Sequence, residues 1–222
     1  MSKFKLSLML AIVAAFSIPA LAGETVVKRV PAGAVAFHFV GDLTYGAPPE
    51  LVGYMAFIEG VDSPLFAGAP SKDTAYFTVR VTSAMPFPID LPIEPDPELG
   101  VSLLPPGIQF TVFYNASPGP REWADPDTFS EGVPIAVFEE SALLSATGFA
   151  ASFNTFSSRL IDSTPVHFNG QRIDFKHMVP NGVTSTNFGN GPRFRPYNNT
   201  AGSSFGATAI AIGGNLRDGS ED

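Results

Sequence analysis

The sequence predicts a single all-β domain, an antiparallel sandwich or jelly roll, with a closed β-barrel as the alternative. Three observations carry this. Short runs with two-residue alternation recur between turn signals along the chain. The 222 residues include 20 Phe, 21 Gly and 21 Pro, a mix that favours strands and turns over long helices. There is no cysteine, so neither a disulfide framework, a thiol nucleophile, a lipidated cysteine nor a thiolate metal site is available, and stability must come from a packed core.

The elements follow in order. Lys3 and Lys5 precede an apolar run from Leu6 to Ile18 that gives way to Ala20-Leu21-Ala22, the pattern of a secretory signal over residues 1–22 cleaved before Gly23. The run is too short for a stable span, and no later stretch is long enough to cross a bilayer as a helix. The expectation is a secreted or periplasmic protein with one β domain over 23–213, a length that sandwiches and barrels reach undivided. Strands are expected at Val35–Val40, Val52–Glu59, Thr74–Thr82, Ile108–Asn115, Ile135–Glu139, Gly148–Phe153 and Phe205–Ile212, and in a hairpin near residue 170. The clearest is "TAYFTVRVT", in which Ala75, Phe77, Val79 and Val81 point to one side and Thr74, Tyr76, Thr78, Arg80 and Thr82 to the other. At most one or two short helices are expected, one of them over "EESALLSAT", 139–147. In "MPFPIDLPIEPDPELG", 85–100, Pro86, Pro88 and Pro92 share one parity and would strip hydrogen-bond donors from one side, as suits a protected edge strand. The Asn- and Gly-rich stretch 181–199 reads as ordered surface turns, and 214–222 as a flexible acidic tail.

"TPVHFNGQRIDFKHM", 164–178, gathers two of the three histidines around an Asn-Gly step. With Asn169-Gly170 as a type I′ turn, Val166 faces Ile173, His167 faces Arg172 and Thr164 faces Phe175. Val166, Phe168, Ile173 and Phe175 then share an apolar face, and His167, Arg172 and Asp174 form a polar face. His177 takes the parity of Phe175, so the two histidines point apart and cannot grip one metal ion. The polar face reads as a solvated cross-strand cluster rather than an acid–base site.

The only tryptophan lies in "REWADPDTFSEG", 121–132, a loop between expected strands. A loop tryptophan either plugs the end of a β domain or serves as a stacking platform for a ligand. The candidate binding residues are therefore Trp123, Arg121, Asp125, Asp127 and Glu131, with a sugar ring over the indole as the natural ligand. Two carboxylate groups could be read as calcium ligands, Asp125, Asp127 and Glu131 here and Asp90, Glu94, Asp96 and Glu98 in the proline-rich stretch, but neither has EF-hand spacing. Asp125-Pro126 is instead the signature of a helix N-cap and first turn. No cofactor is expected, with calcium the one weak alternative.

The formal net charge of −8, more negative still once Lys3 and Lys5 leave with the leader, repels nucleic acid and anionic membranes. No HExxH, Walker or GxGxxG pattern occurs, so the common zinc-protease and nucleotide-binding signatures are absent. The functional expectation is a secreted, non-enzymatic binding or extracellular-matrix or surface protein with an extracellular ligand, carbohydrate being the class considered. The alternative is a secreted, carbohydrate-active hydrolase using paired Asp or Glu residues, whose separation in space no sequence displays.

Overall fold

A computed structural model describes residues 25–46, 48–86, 88–91, 100–148, 150–191, 193–195 and 199–213. The expected leader and acidic tail, and Glu94, Asp96 and Glu98, lie outside them. Along the chain come β1 (Thr25–Val26), β2 (Val35–Thr44), β3 (Glu50–Ile58), β4 (Phe77–Val81), β5 (Ile89–Leu91), β6 (Gly100–Leu104), β7 (Gln109–Tyr114), β8 (Val133–Glu140), β9 (Leu143–Thr147), β10 (Ala151–Ser163), β11 (Val166–Phe168), β12 (Gln171–Ile173), α1 (Phe175–Met178), β13 (Val183–Asn190), β14 (Arg193–Arg195) and β15 (Thr200–Ala211). Among the described residues no helix is long and apolar enough to cross a membrane.

The barrel alternative is the one realised. Strands β2, β3, β4, β7, β8, β10, β13 and β15 pair antiparallel in chain order, and β15 returns to β2 through a register running from Gly202 opposite Thr44 to Ile210 opposite Val35. Each stave therefore joins its sequence neighbours and no edge remains around the ring. Register shifts at His38/Phe39, Val112/Phe113, Leu160/Asp162 and Ala209/Ile210 supply the local bends that closure requires.

The alternating apolar residues fill the lumen. Phe110 and Phe138 stack at 4.9 Å, and Phe39 meets Phe205 edge-on at 5.9 Å, with Met55, Val79 and Val112 buried among them. A Cβ on Gly41 would lie 2.7 Å from the Phe205 ring, so a glycine is needed for that ring to sit inside.

One end, the base, is sealed by a small sheet in which β1 pairs parallel with β12 and β12 pairs with β11. Asn169 and Gly170 have φ of 47° and 83°, the left-handed pair of a type I′ turn, and the expected facing of Val166 with Ile173 and His167 with Arg172 is observed. Phe168 enters the lumen between Tyr76, Phe77 and Tyr114. The regular hairpin stops sooner than expected, so the Thr164–Phe175 pair does not form. Asp174 turns the chain into α1 and accepts from the Lys176 backbone N–H at 3.0 Å, Phe175 packs on Phe37 and Phe138, and His177 is exposed on the helix.

At the other end, the mouth, β6 and β9 continue the lines of β7 and β8 beyond short breaks, and β5 forms the outer edge, paired only with β6. The long β10 pairs first with β9 and then with β8. The helix expected over 139–147 is thus replaced by the end of β8 and by β9, because two flanking strands claim the backbone: Gly107 N–H donates to Glu140 O and Ser141 N–H to Ser157 O. Likewise 181–199 is not only surface turns: β13 is a full stave, paired on both sides.

Candidate functional site

Three layers of side chains line the mouth, and the pairing register assigns them without ambiguity, since residues directly opposite share a face. The outermost is a polar row on four adjacent strands, Ser102 opposite Ser145, Ser145 opposite Asn154, and Asn154 opposite Asn187. Below it lies an apolar layer of Leu104, Leu143 and Phe156, joined by Ser185 opposite Phe156. The floor carries Glu140 beside Ile108, with the buried Ser158 directly opposite Glu140 on β10. Successive layers are two residues apart along β10, roughly 7 Å. The layers enclose a cavity of about 160 Å³, walled on the far side by Leu43, Leu51, Val81 and Met85.

Five polar atoms of these layers are unsatisfied. Glu140 Oε2, Asn154 Oδ1, Asn187 Oδ1, Ser158 Oγ and Ser185 Oγ are buried without a hydrogen-bond partner. Most buried polar atoms are paired, so five orphans from three neighbouring strands in one place are unusual. Burial alone pushes the Glu140 carboxyl up to about 8, so it is largely protonated at neutral pH. Its backbone is held on one side, the Glu140 N–H donating to Ile108 O at 2.7 Å and the Gly107 N–H donating to Glu140 O at 3.0 Å. The carboxyl thus sits on a rigid element in an apolar enclosure, the setting in which an acid donates a hydrogen bond or meets a cation. Among the described lining residues it is the only carboxyl, one half of the pair a glycosidase uses. A wider groove of about 400 Å³ at the base has Arg29 as its only charged lining residue and no comparable cluster.

The residues singled out in the sequence lie elsewhere. The loop 121–132 folds over the outer wall of β3 and β4, where the Thr78 hydroxyl donates to Phe129 O at 2.6 Å and Arg80 reaches Asp127 at 2.5 Å. Trp123 is half-buried and stacks on the fully buried Phe129 at 5.0 Å. Arg121 is fully buried: its backbone N–H donates to Asp73 Oδ1, its guanidinium to Lys72 O, and its own carbonyl accepts from Lys72 Nζ. Burial lowers its pKa, while Glu131 and Asp73 oppose that shift. Asp125 caps the 3-10 turn Pro126–Phe129 by accepting from the Asp127 N–H, and Glu131 is exposed. On the hairpin, Arg172 and Asp174 approach to 3.6 Å, and the Asp174 carboxylate also accepts from Ser163 Oγ. Among the described residues no three His, Asp or Glu side chains lie close enough to hold one metal ion. His38 accepts or donates a bond with Thr208 Oγ1 at 3.0 Å on the outer wall.

Glu140 escaped the sequence reading because the expected strand ended one residue before it. Continuing the parity of Ala136 and Phe138 by one step would have placed a carboxyl on the core face. No family model, no curated protein and no solved structure matches the chain.

Proposed function

We propose that this is an exported, non-enzymatic binding protein whose ligand, a small amphiphilic molecule, occupies the mouth of the barrel. The supporting observation is the set of unpaired polar atoms inside an otherwise apolar cavity. Each buried polar group left unpaired costs roughly 1–3 kcal/mol, and a ligand that pairs with them recovers part of that cost on binding. Mouths of β-barrels are a common place for such sites. The apolar middle layer favours a ligand with a hydrophobic body, and the leader expected over 1–22 supports an extracytoplasmic one. Hydrolysis by paired carboxylates draws less support, since Glu140 is the one carboxyl among the described lining residues and Asp90, on the face of Ser102, is exposed beyond them.

Backbone amide NMR tests this with 2-phenylethanol as the probe. Saturable shifts confined to the strands around the mouth, β6, β9, β10 and β13 with the end of β8 and the facing parts of β2, β3 and β4, abolished by filling the middle layer with Leu143→Trp, are the expected result. Shifts that are absent, or scattered over the outer wall and untouched by L143W, overturn the reading.

A further inference from the structure

We propose that the ligand of this cavity is an organic cation, a primary ammonium group seated on Glu140 and carried by an apolar body about the size of one aromatic ring. This rests on the mouth-cavity reading and specifies its chemistry.

The unpaired atoms call for donors. Glu140 Oε2, Asn154 Oδ1 and Asn187 Oδ1 are all acceptors, and the Ser158 hydroxyl beside Glu140 has a free lone pair to offer. The lining residues include no Lys, Arg or His, so the site has no cation of its own. An ammonium brings three N–H donors and no acceptor, enough to bond the Glu140 carboxylate and the Ser158 hydroxyl together. An alcohol supplies one donor, and a carboxylate ligand would bury its charge in a site whose lining residues supply no cation to pair with it. A lone buried charge is strongly unfavourable, whereas a buried pair with further hydrogen bonds is tolerated. As for size, a cavity of roughly 150 Å³ takes a benzene ring, close to the 160 Å³ here.

Glu140 is held largely protonated by burial, and an alkylammonium arrives charged at pH 7. Seating it as an ion pair breaks the Glu140 O–H bond and releases one proton to solvent. Tyr45 is the only other titratable side chain among the lining residues. The charged groups on the surrounding staves, Asp42, Glu50, Arg80, Glu139 and Arg159, alternate with the inward residues Leu43, Leu51, Val79 and Val81, Glu140 and Ser158, and so face outward. Arg159 is paired with Glu139 there at 2.5 Å.

Titration calorimetry of the full chain at pH 7, in two buffers of different ionisation enthalpy, tests this with phenethylamine, 2-phenylethanol and 3-phenylpropionate. Phenethylamine is expected to bind at least about tenfold tighter than 2-phenylethanol, the scale of a hydrogen bond to a charged partner, and to release a proton on binding. Glu140→Gln, isosteric and uncharged, should remove both the preference and the release while still binding 2-phenylethanol. Should 2-phenylethanol bind as tightly as phenethylamine, or 3-phenylpropionate bind tightest, or the wild type release no proton with the amine, the cation is overturned and the cavity reading stands. Should none of the three bind, the cavity reading falls and the cation with it.

Discussion

Glu140 and Ser158 sit directly opposite one another across β8 and β10, both buried inside the barrel, and neither Glu140 Oε2 nor Ser158 Oγ has a hydrogen-bond partner. A carboxyl in that position is a liability to the folded state once it ionises. Its folded pKa of about 8 stands above its ordinary value of 4.5, so between these pH values the folded state holds a proton that the unfolded state has released, and stability falls as pH rises. Below pH 4.5 both states are protonated and the group is silent; above pH 8 the loss is complete, on the order of 5 kcal/mol. Urea denaturation of wild type and E140Q at pH 5, 7 and 9 should show E140Q gaining relative stability as pH rises. Parallel pH profiles for the two proteins would remove the buried-acid assignment.

The same residues explain what could be read in the sequence. Staves such as β4, with Phe77, Val79 and Val81 inward, obey apolar-in, polar-out alternation and identified themselves and the fold class. β9 and β13 place Ser145, Thr147 and Asn187 inward, against that rule, because they line a cavity and not a packed core, and Ser185 follows them opposite Phe156. Leu143 and Val183 still point inward, but the inward positions that follow them are polar, so the apolar-in signal lapses and 139–147 reads as a helix and 181–199 as surface turns. Local rules fail where a polar recess has to be built, and those failures mark the candidate site. The choice between sandwich and barrel was illegible for another reason: closure depends on β15 finding β2 across more than 150 residues of chain, which no local pattern records.

Phe168 is the plug of the base. It is almost fully buried and packs edge-on against Tyr76 and Phe77, each at 5.1 Å. Phe168→Ala should cost about 3–5 kcal/mol, read as a lower urea midpoint at unchanged slope. Because the plug lies at the end opposite the cavity, phenethylamine affinity under native conditions should be preserved. A loss below about 1 kcal/mol would mean that the hairpin is an ornament on a barrel already sealed without it.

Trp123 reports on the outer loop. Its indole is half-buried over Phe129, so wild-type emission should be only partly quenched by iodide. Phe129→Ala should shift the emission to longer wavelength and raise the quenching, as the indole loses its stacking partner. Phenethylamine should leave the emission unchanged, since the loop packs on the outside of β3 and β4. An emission change on adding oligosaccharides would shift the ligand site from the mouth to this loop.

Gly182 and Gly33 separate two costs that usually travel together. Both hold a positive φ, +83° and +82°, that L side chains rarely adopt. At Gly33 an added Cβ would meet nothing within 4 Å, so Gly33→Ala carries only the backbone strain, about 1 kcal/mol. At Gly182 the same atom would lie 1.9 Å from Ser158 O and 2.8 Å from Arg159 Cα. Neither is a side chain that can swing away, so β10 or β13 must move where the two strands pair. Gly182 also accepts from the Ile212 N–H at 3.1 Å, which ties the displacement to the end of β15. G182A should therefore lose clearly more than G33A, by about 2 kcal/mol or more on the scale of overpacking against rigid neighbours. It should also weaken phenethylamine binding, because Ser158 lies directly opposite Glu140 on the cavity floor and a shift of its backbone displaces that pair. Equal urea midpoints for the two variants would show that the β10–β13 seam is compliant, and would undercut the rigid floor on which the seating of an ammonium group at Glu140 depends.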